Sequence, residues 1–355
     1  MPSIFMGSVS PFSGKNVIGL GLAQHFRKEG RKVGYFKPIG PLSTRAGSSH
    51  ADEDAVLFKE ALALTDPLDA ICPLVLSADT FAKAMRGGIT DARDRIMKAY
   101  AKVAAGKDVV LVGGMGRLSA GLFLGFSAEQ FIKETGAQMI IAEKYRAPYE
   151  VIDAILYVKR TLGKQFSGVI FNRIDAAKRA QIEGELAPFF AKQSIDVLGI
   201  VPEDPVLAAV PVSEIVDSLH AQVLVGRPGA DILIERFLVG AMNVEAALTH
   251  FRRAPNKAVI TGGDRPDIQL AALETDAKCL ILTGDLPANE RILTEAERRE
   301  VPVLLVSTHT GATLEACEKL AEHLGTRSAQ KLLRVAETVD RALDFTALKQ
   351  KLGVR

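Results

Sequence analysis

The sequence predicts an α/β protein in which a doubly wound parallel sheet is followed by a second, smaller α/β domain. Short apolar runs alternate with segments of helical period along the chain, which is typical of parallel sheets covered by helices. The runs are apolar at consecutive positions, as in strands that are buried on both faces. The chain has 355 residues, more than one hydrophobic core usually organises, so two domains are expected.

The N-terminal part contains the first series of elements. Its predicted strands cover residues 3–7, 32–36, 109–112, 139–142, 168–171 and 197–201. Its predicted helices cover residues 17–28, 92–105, 128–135, 148–162 and 176–192. Ligands of doubly wound sheets bind beyond the carboxyl ends of the strands. The glycines and charged residues directly after each strand are therefore the candidate site residues.

Three prolines, Pro202, Pro205 and Pro211, separate this series from a second one. Strands are then predicted at residues 222–225, 258–261, 279–283 and 303–307, with helices at 243–252, 266–274, 289–300 and 310–324. The predicted domain limits are residues 1–210, 211–325 and 326–355. The last segment is predicted to form one or two amphipathic helices that pack on the core. Its apolar side comprises Leu332, Leu333, Val335, Ala336 and Val339, and its polar side Lys331, Arg334 and Glu337.

The composition narrows the classes of partner. There are 44 basic and 42 acidic residues, a net charge of +2, which favours neither nucleic acid nor an acidic membrane surface. No signal-peptide pattern is found, and no apolar stretch reaches the roughly 20 residues that span a bilayer. Cys72, Cys279 and Cys317 are odd in number and lack metal-binding spacing, so we expect them to be small core residues in a reducing compartment. A cytoplasmic protein is expected.

A glycine-rich loop follows the first strand, where residues 7–16 read GSVSPFSGKN. Such a loop aims backbone N–H groups at an anion, Lys15 adds a positive charge, and the next helix points its positive end at the same place. A nucleotide phosphate is the simplest partner. The alternative is a turn that only caps a helix. The candidate binding residues are Gly7, Ser8, Ser10, Ser13, Gly14, Lys15 and Asn16.

The loop departs from the strict P-loop pattern at two positions. Gly14 and Lys15 are in place, but Val9 stands where the first glycine is expected. Asn16 replaces the serine or threonine whose hydroxyl binds magnesium. Its amide oxygen is a neutral and weaker ligand.

These motifs resemble two known families. Residues 1 to about 205 resemble the dethiobiotin synthetase-like family of P-loop proteins, whose phosphate loop is longer than a strict P-loop, so the Val9 mismatch matters little. Residues from about 214 to 325 resemble a DRTGG domain. The two occur together in the N-terminal half of long bacterial phosphotransacetylases, and stand-alone proteins of this composition are similar to that half. The resemblance implies a P-loop doubly wound sheet followed by a DRTGG domain, and places the acetyl-transfer domain outside this sequence.

The resemblance also implies roles for a lysine and two acids. Residues 33–40 read VGYFKPIG and resemble the family's second strand with its Lys-Pro pair. Lys37 would surround a carbamate and the transferred phosphate together with Lys15, so these two are the candidate catalytic residues. Asp54 and, as a poorer match, Asp52 would bind magnesium through carboxylate oxygens. The alternatives are a surface lysine at a strand end and a solvated helix N-terminus.

The third strand shows the main departure from the family. The family has Val-Glu-Gly there, and its glutamate holds magnesium, whereas residues 110–116 read VLVGGMG and put Gly113 in that place. Without that acid, charge neutralisation and metal orientation at the phosphate are weakened. Glu143 lies at the same sheet edge as a partial substitute that we do not assign. We therefore expect ATP or ADP binding, weak Mg²⁺ binding, and weak or absent ATPase or ligase activity.

Two further segments carry the resemblance. Residues 167–173 read SGVIFNR and resemble the base-reading strand, in which an asparagine, here Asn172, would donate to and accept from the adenine edge; the alternative is a plain turn residue. Residues 261–267, TGGDRPD, and 282–285, LTGD, match the two halves of the DRTGG signature except at its last glycine, here Asp285. We expect Asp264 to cap the following helix.

Three functional interpretations remain open. The first is a nucleotide-binding regulatory protein that acts on a separate phosphotransacetylase or another metabolic enzyme. The second is an ATP-dependent ligase of the dethiobiotin synthetase or cobyrinic acid diamide synthase type, favoured by Lys15, Lys37 and Asp54 and opposed by Gly113. The third is an assembly module whose sites have decayed. A homodimer or larger homo-oligomer is expected, with residues 147–162 near a neighbour's P-loop.

Overall fold

The computed structural model describes residues 2–10, 13–41, 43–46, 49–114, 116–146, 148–227, 232–322 and 329–354. These residues form two compact units. The first unit holds the chain up to Glu203 together with the C-terminal helices, and the second begins at Asp204. The predicted α/β class, with a parallel sheet in the first unit, is confirmed.

The first unit is built on a parallel sheet of six strands. In chain order the strands of this unit are β1 Ser3–Gly7, β2 Val33–Phe36, β3 Ser43–Ala46, β4 Ser49–Asp52, β5 Val109–Gly113, β6 Gln138–Glu143, β7 Phe166–Ile174 and β8 Val197–Pro202. The sheet has the order β2-β5-β1-β6-β7-β8, and β3 and β4 form a separate antiparallel hairpin. Every residue of β1, β2 and β5 is buried, which explains their continuous apolar sequences.

Helices cover this sheet. They are α1 Lys15–Lys28, α2 Glu53–Ala61, α3 Leu68–Ile71, α4 Ala78–Met85, α5 Ala92–Ala104, α6 Ala128–Thr135, α7 Pro148–Leu162, α8 Ala176–Gln181 and α9 Ala187–Lys192. Local signals set their ends: Ser127 and Gln130 form a capping box before α6, and Gly136 ends that helix in the left-handed region. The single helix predicted over residues 176–192 is interrupted by a π-helical turn at Ile182–Leu186.

The second unit contains the second series of elements. They are α10 Pro205–Ala208, β9 Val210–Pro211, α11 Val212–Leu219, β10 Gln222–Val225, β11 Leu233–Ile234, β12 Arg236–Val239, α12 Val244–Arg252, β13 Lys257–Gly262, α13 Pro266–Glu274, β14 Cys279–Thr283, α14 Glu290–Arg298, β15 Val303–Leu305 and α15 Thr310–Glu322. The main sheet has the order β10-β15-β14-β13-β12, in which β10 pairs antiparallel and the others pair parallel.

The C-terminal helices, α16 Ala329–Ala342 and α17 Phe345–Leu352, belong to the first unit and pack against α1. A Cβ atom added at Gly21 would lie 2.5 Å from the Cβ of Val339, so the glycine permits this close approach. The predicted apolar side is wrong for Leu333, which is 69% exposed, whereas Lys331 is buried. Lys331 lies four residues before Val335 and shares its buried stripe, and Leu333 lies on another face.

The three cysteines are free and buried, as the sequence predicts. Within the described ranges, no helix combines the length and apolar character needed to cross a membrane.

Candidate functional site

The glycine-rich loop joins β1 to α1 at the carboxyl edge of the first sheet. Gly14 precedes α1 in a left-handed conformation, with φ of 79°, which a glycine adopts without steric cost. Ser8 and Ser13 are buried in the loop, and Lys15 begins the helix. Positions 11 and 12 of the predicted loop lie outside the described residues. The loop therefore places backbone groups and Lys15 together at a helix N-terminus.

Asn172, near the end of β7, holds this loop from two strands away in the sheet. Its Nδ2 atom donates to the carbonyl of Ser13 at 3.0 Å and lies 3.5 Å from the carbonyl of Gly14. A Cβ atom added at Gly14 would lie 2.1 Å from that nitrogen, so the glycine is required by the contact as well as by its φ. In this structure the amide nitrogen supports the loop, and its role toward a base stays a prediction.

Lys37, Asp52 and Asp54 form a buried cluster that contacts Asn16, the last residue of the loop. The Lys37 Nζ atom donates to Oδ2 of Asp54 and lies 3.5 Å from Oδ1 of Asp52. The Asn16 Nδ2 atom donates to the other Asp54 oxygen at 2.6 Å. Asp52 caps α2 by accepting from the Ala55 N–H at 3.2 Å. The two acids do begin a helix, but they are buried rather than solvated.

The charges in this cluster shift one another. Burial lowers the pKa of Lys37, but Asp54 and Asp52 outweigh it and hold the pKa above its usual value. Burial raises the pKa of Asp54, but Lys37, Lys15 and the bond from Asn16 bring it below its usual value. Burial and the neighbouring Lys37 charge lower the pKa of Lys15, against the opposing effect of the two carboxylates. Lys15 and Lys37 therefore repel each other at one place.

A third carboxylate, Glu143 at the end of β6, lies on the loop itself. Its Oε2 atom accepts from the N–H groups of Val9 and Ser10, each at 2.9 Å, and its Oε1 atom accepts from the Lys144 N–H at 3.0 Å. The side chain is fully buried, and this burial raises its pKa. Glu143 thus binds two loop N–H groups, a role that its position at the sheet edge does not reveal.

Gly113, at the position where the resemblance implies an acid, packs against Tyr35. A Cβ atom added at Gly113 would lie 2.2 Å from the Tyr35 hydroxyl oxygen and 3.4 Å from Cδ of Lys37. Tyr35 is buried and stacks on Phe58 with ring centroids 3.8 Å apart. Its hydroxyl has no hydrogen-bond partner in the part of the chain that the structure describes, and burial raises its pKa well above the usual value. A tyrosine therefore fills the space in which an acidic side chain would start.

Residues 3–210, which contain this arrangement, match the family described as an AAA domain, AAA_26. The chain belongs to the AAA_26 family. In this AAA_26 chain, residues 214–320 match the DRTGG domain. The predicted combination of a dethiobiotin synthetase-like P-loop domain with a DRTGG domain is thereby confirmed. The first unit is a P-loop domain of the nucleotide-binding type.

Curated relatives agree with this assignment. The AAA_26 chain is 27% identical over 333 residues to a phosphate acetyltransferase of Synechocystis sp., which covers 90% of this chain and 47% of the relative. It is 26% identical over 203 residues to the ATP-dependent dethiobiotin synthetase BioD of Aromatoleum aromaticum, covering 56% of this chain and 89% of that protein. The chain spans about half the length of the phosphate acetyltransferases it matches, so their acetyl-transfer activity is not assigned to it.

A solved structure also resembles part of the chain. It contains the CBS and DRTGG domains of the regulatory region of Clostridium perfringens pyrophosphatase, complexed with the activator diadenosine tetraphosphate. The likeness covers 48% of this chain and 85% of that chain, at 16% identity and a TM-score of 0.30. A score this low adds no weight to the assignment.

The donor set does not fit a resident magnesium ion. Both carboxylate oxygens of Asp54 accept hydrogen bonds, one from Asn16 and one from Lys37. Asp52 caps α2 and faces Lys37, and Gly113 has no side-chain oxygen. Across the described ranges, no group of three or more His, Cys, Asp or Glu side chains is placed to hold a metal ion. Magnesium favours several oxygen ligands and retains waters, so here most of its ligands would come from a bound phosphate and water.

The second unit brings the two halves of the DRTGG signature together. Gly262 and Thr283 are partners in the β13–β14 register, and the Thr283 hydroxyl lies 2.9 Å from the Thr310 hydroxyl at the start of α15. Asp285, which replaces the last glycine of the signature, has a φ of 57°, and aspartate tolerates this left-handed region better than most residues. The structure therefore explains how an aspartate occupies that position.

The predicted cap of α13 is wrong. Asp264 makes no capping bond, and the cap position is Arg265, whose guanidinium pairs with Asp267 in the first turn. Pro266 occupies the first helical position, so the cap falls on the residue directly before it. His309 caps α15 by accepting from the Ala312 N–H through Nδ1 at 3.2 Å.

Three residues near the loop were missed by sequence reasoning or given another role. Tyr35 fills the space beside Gly113, and Glu143 binds two loop N–H groups. Arg173 follows Asn172 with a φ of 58°, and its Nε atom would lie 4.0 Å from a Cβ atom added at Gly14. Its position directly after Asn172, in the segment predicted to read a base, was the available signal. Its guanidinium adds a positive charge beside the loop.

Proposed function

We propose that this protein is a nucleotide-binding regulatory protein that binds ATP or ADP at the loop of residues 7–16 and has little catalytic activity. Two observations carry the proposal. Lys15 lies at the end of a phosphate-type loop with Lys37 close to it. The strand β5, which ends at the same edge of the sheet, ends in Gly113. The Lys15 charge at the positive end of α1 favours a polyphosphate, and the missing acid disfavours its turnover. Its target would be a separate phosphotransacetylase or another metabolic enzyme of the cytoplasm, and neither nucleic acid nor a membrane is proposed as a partner.

The electrostatics support nucleotide binding. Lys37 is neutralised by Asp54 and Asp52, whereas Lys15 lies at the N-terminus of α1 with a lowered pKa. A phosphate placed there would offset the repulsion between the two lysines and would also interact with the positive end of the helix. Binding is therefore expected to restore the pKa of Lys15 toward its usual value.

The same cluster favours a low rate of catalysis. Phosphoryl transfer depends on metal ions and fixed positive groups that neutralise charge developing on the phosphate. Asp54 already binds Lys37 and Asn16, and Gly113 supplies no carboxylate. We therefore propose weak Mg²⁺ binding at Asp54 and Asp52, dependent on the nucleotide.

The second candidate function is an ATP-dependent ligase of the dethiobiotin synthetase or cobyrinic acid diamide synthase type, acting on a carboxylate or amine. The observation in its favour is that Lys37 remains at the site and is held by Asp54, as a lysine that stabilises a transferred phosphate would be. Gly113 weighs against this function because it supplies no carboxylate for phosphoryl transfer.

A homodimer is proposed through the face of α7. Tyr149 and Tyr157 on this helix are 70% and 62% exposed, and residues eight apart lie near the same side of a helix. Position 147, at the start of the predicted contact, lies outside the described residues. A two-fold interface needs only one self-complementary patch.

Calorimetry with ATP, ADP and GTP, each with and without Mg²⁺, tests the proposed binding. Lys15→Ala is expected to lose on the order of 2 kcal/mol of binding free energy for ATP, because a charge-assisted interaction is removed. Lys133→Ala is the matched control, since Lys133 pairs with Glu129 on the surface of α6. If Lys15→Ala binds ATP as tightly as the parent protein, the site assignment is wrong. Binding of no nucleotide by the parent would favour the assembly module instead.

A further inference from the structure

The Glu143 carboxylate occupies hydrogen-bond donors of the phosphate loop. One oxygen, Oε2, accepts from Val9 and Ser10 at 2.9 Å each. Both donors are backbone N–H groups of the segment that follows β1, and Glu143 ends β6, the strand that pairs with β1. The contact therefore joins the loop to an adjacent strand of the same sheet.

This contact has the chemistry of a bound anion. Phosphate oxygens bind such loops by accepting backbone N–H groups at a helix N-terminus. Each N–H carries one hydrogen, so a donor held at 2.9 Å by Glu143 cannot make an equally good bond to a phosphate oxygen. A carboxylate and a phosphate therefore compete for these two donors.

The environment of Glu143 indicates that the contact can be exchanged. The carboxylate is fully buried, and its burial is offset by backbone N–H groups of Ser10, Val9 and Lys144. Removing a carboxylate from water is costly, and the raised pKa of Glu143 reflects that cost. A polyphosphate carries more negative charge than one carboxylate and would also interact with Lys15 at the start of α1, so we expect it to replace the carboxylate on the loop.

We propose that Glu143 is an autoinhibitory residue: its carboxylate holds the Val9 and Ser10 N–H groups in the free protein, and the phosphate of a nucleotide must displace it. This inference rests on the proposed nucleotide binding and describes the regulation of that site. The affinity for nucleotide is then set partly by the strength of the internal contact. The competing explanation is a brace that keeps the loop in its binding shape, and it predicts the opposite effect of mutation.

The test measures ATP and tripolyphosphate binding by calorimetry for the parent protein, Glu143→Gln and Glu143→Ala. A neutral amide accepts more weakly than a carboxylate, by roughly the factor of ten that separates neutral from charge-assisted bonds. We expect Glu143→Gln to bind both ligands about tenfold more tightly, and Glu143→Ala at least as tightly as Glu143→Gln. Tripolyphosphate lacks a base and sugar, so it reports on the loop alone.

Glu134→Gln is the matched control, since it removes the same charge from an exposed position on α6. Hydrogen exchange of the residue 7–10 amides without ligand separates occupancy of the donors from a general charge effect. We expect these amides to exchange about tenfold faster in Glu143→Ala than in the parent.

The outcomes separate an autoinhibitory Glu143 from a brace, and both from a failure of the proposed nucleotide binding. Tighter binding and faster exchange in the Glu143 variants, with Glu134→Gln unchanged, support the inference. Equal or weaker binding in the Glu143 variants, with ATP binding intact in the parent, overturns it and shows that Glu143 is a brace. If neither the parent nor any variant binds ATP or tripolyphosphate, the proposed function itself is wrong, and the inference falls with it. If Glu143→Gln fails to fold, Glu143→Ala gives the same comparison.

Discussion

The contact between Gly113 and Tyr35 can be tested by a double-mutant cycle of Gly113→Ala and Tyr35→Phe. A Cβ atom at position 113 would lie 2.2 Å from the tyrosine hydroxyl oxygen and 3.0 Å from Cζ. Gly113 is not in the left-handed region, so alanine adds no backbone strain there. The predicted cost of the alanine therefore comes from overpacking against the ring.

The magnitudes follow from this geometry. Gly113→Ala is expected to lower the free energy of unfolding by about 1–3 kcal/mol, the usual cost of an extra methyl group in a packed core. Tyr35→Phe removes a buried hydroxyl without a described partner, so it should leave stability unchanged or raise it by about 1 kcal/mol. In the Tyr35→Phe background the closest atom, at 2.2 Å, is gone, and the cost of Gly113→Ala should fall by about 1 kcal/mol or more.

The buried cysteines provide the assay. Cys72 lies in the first unit, and Cys279 and Cys317 lie in the second. Pulsed thiol labelling across a urea gradient, read peptide by peptide, gives an unfolding midpoint for each unit. The substitutions should shift the midpoint of Cys72, while Cys279 and Cys317 serve as internal references.

A coupling below about 0.3–0.5 kcal/mol, the usual limit for independent sites, would refute the reasoning. It would show that the hydroxyl does not limit the space at position 113. The result also bears on catalysis, because Gly113→Glu would place its first side-chain atom at the same point. Restoring an acid is therefore expected to require Tyr35→Phe or a smaller residue in addition.

Three other predictions concern turnover, the C-terminal helices and assembly. Phosphate release from ATP with Mg²⁺ should stay far below ~1 s⁻¹, and a rate near that value would show that the missing acid is not limiting. Gly21→Ala should weaken the packing of α16 on α1 by about 1–3 kcal/mol, seen as faster hydrogen exchange in residues 329–352, with rescue by Val339→Ala; a loss without rescue would place the strain elsewhere. Light scattering at micromolar concentration should give twice the 38.1 kDa of one chain, reduced by Tyr149→Ala with Tyr157→Ala. A mass of one chain for the parent, with or without nucleotide, would contradict the dimer.

Much of the fold could be predicted from the sequence because its main strands are apolar at every position. β1, β2 and β5 are buried throughout, and such runs differ from the helical period between them. The hairpin β3–β4 and the short strands β9, β11 and β12 were not predicted. Ser49–Asp52 reads SHAD, which has neither an apolar run nor an alternating pattern, so its strand form depends on pairing with β3. Propensity is a weak guide to such strands.

The sequence predicts where the candidate site lies in the fold, but not which contacts its side chains make. The sequence places Lys37 and Asn172 at strand ends and Lys15 in the loop after the first strand, and a parallel sheet brings strand ends to one edge. It does not say which partner each side chain takes. Glu143 ends an apolar strand, a signal that marks the sheet edge but is silent on whether the carboxylate faces a metal, a solvent channel or the loop. The partner of Tyr35 was also hidden, since β2 and β5 pair only in the folded sheet.

Several groups at the candidate site are already paired with other groups of the protein. The loop N–H groups of Val9 and Ser10 bind Glu143, Asp54 binds Lys37 and Asn16, and the Asn172 amide binds the loop carbonyls. A ligand that enters such a site exchanges partners instead of filling vacant ones, so its net binding free energy is a difference between two sets of similar contacts. Glu143 ends β6, which pairs with β1, so its displacement would affect a strand beside the loop as well as the loop itself. A ligand shifts a protein's conformation only through its differential affinity for two states. A site whose free state is internally paired supplies that difference, and a resident metal or a fixed acid is not needed for it. The internal pairing of the free site therefore favours nucleotide sensing over nucleotide turnover.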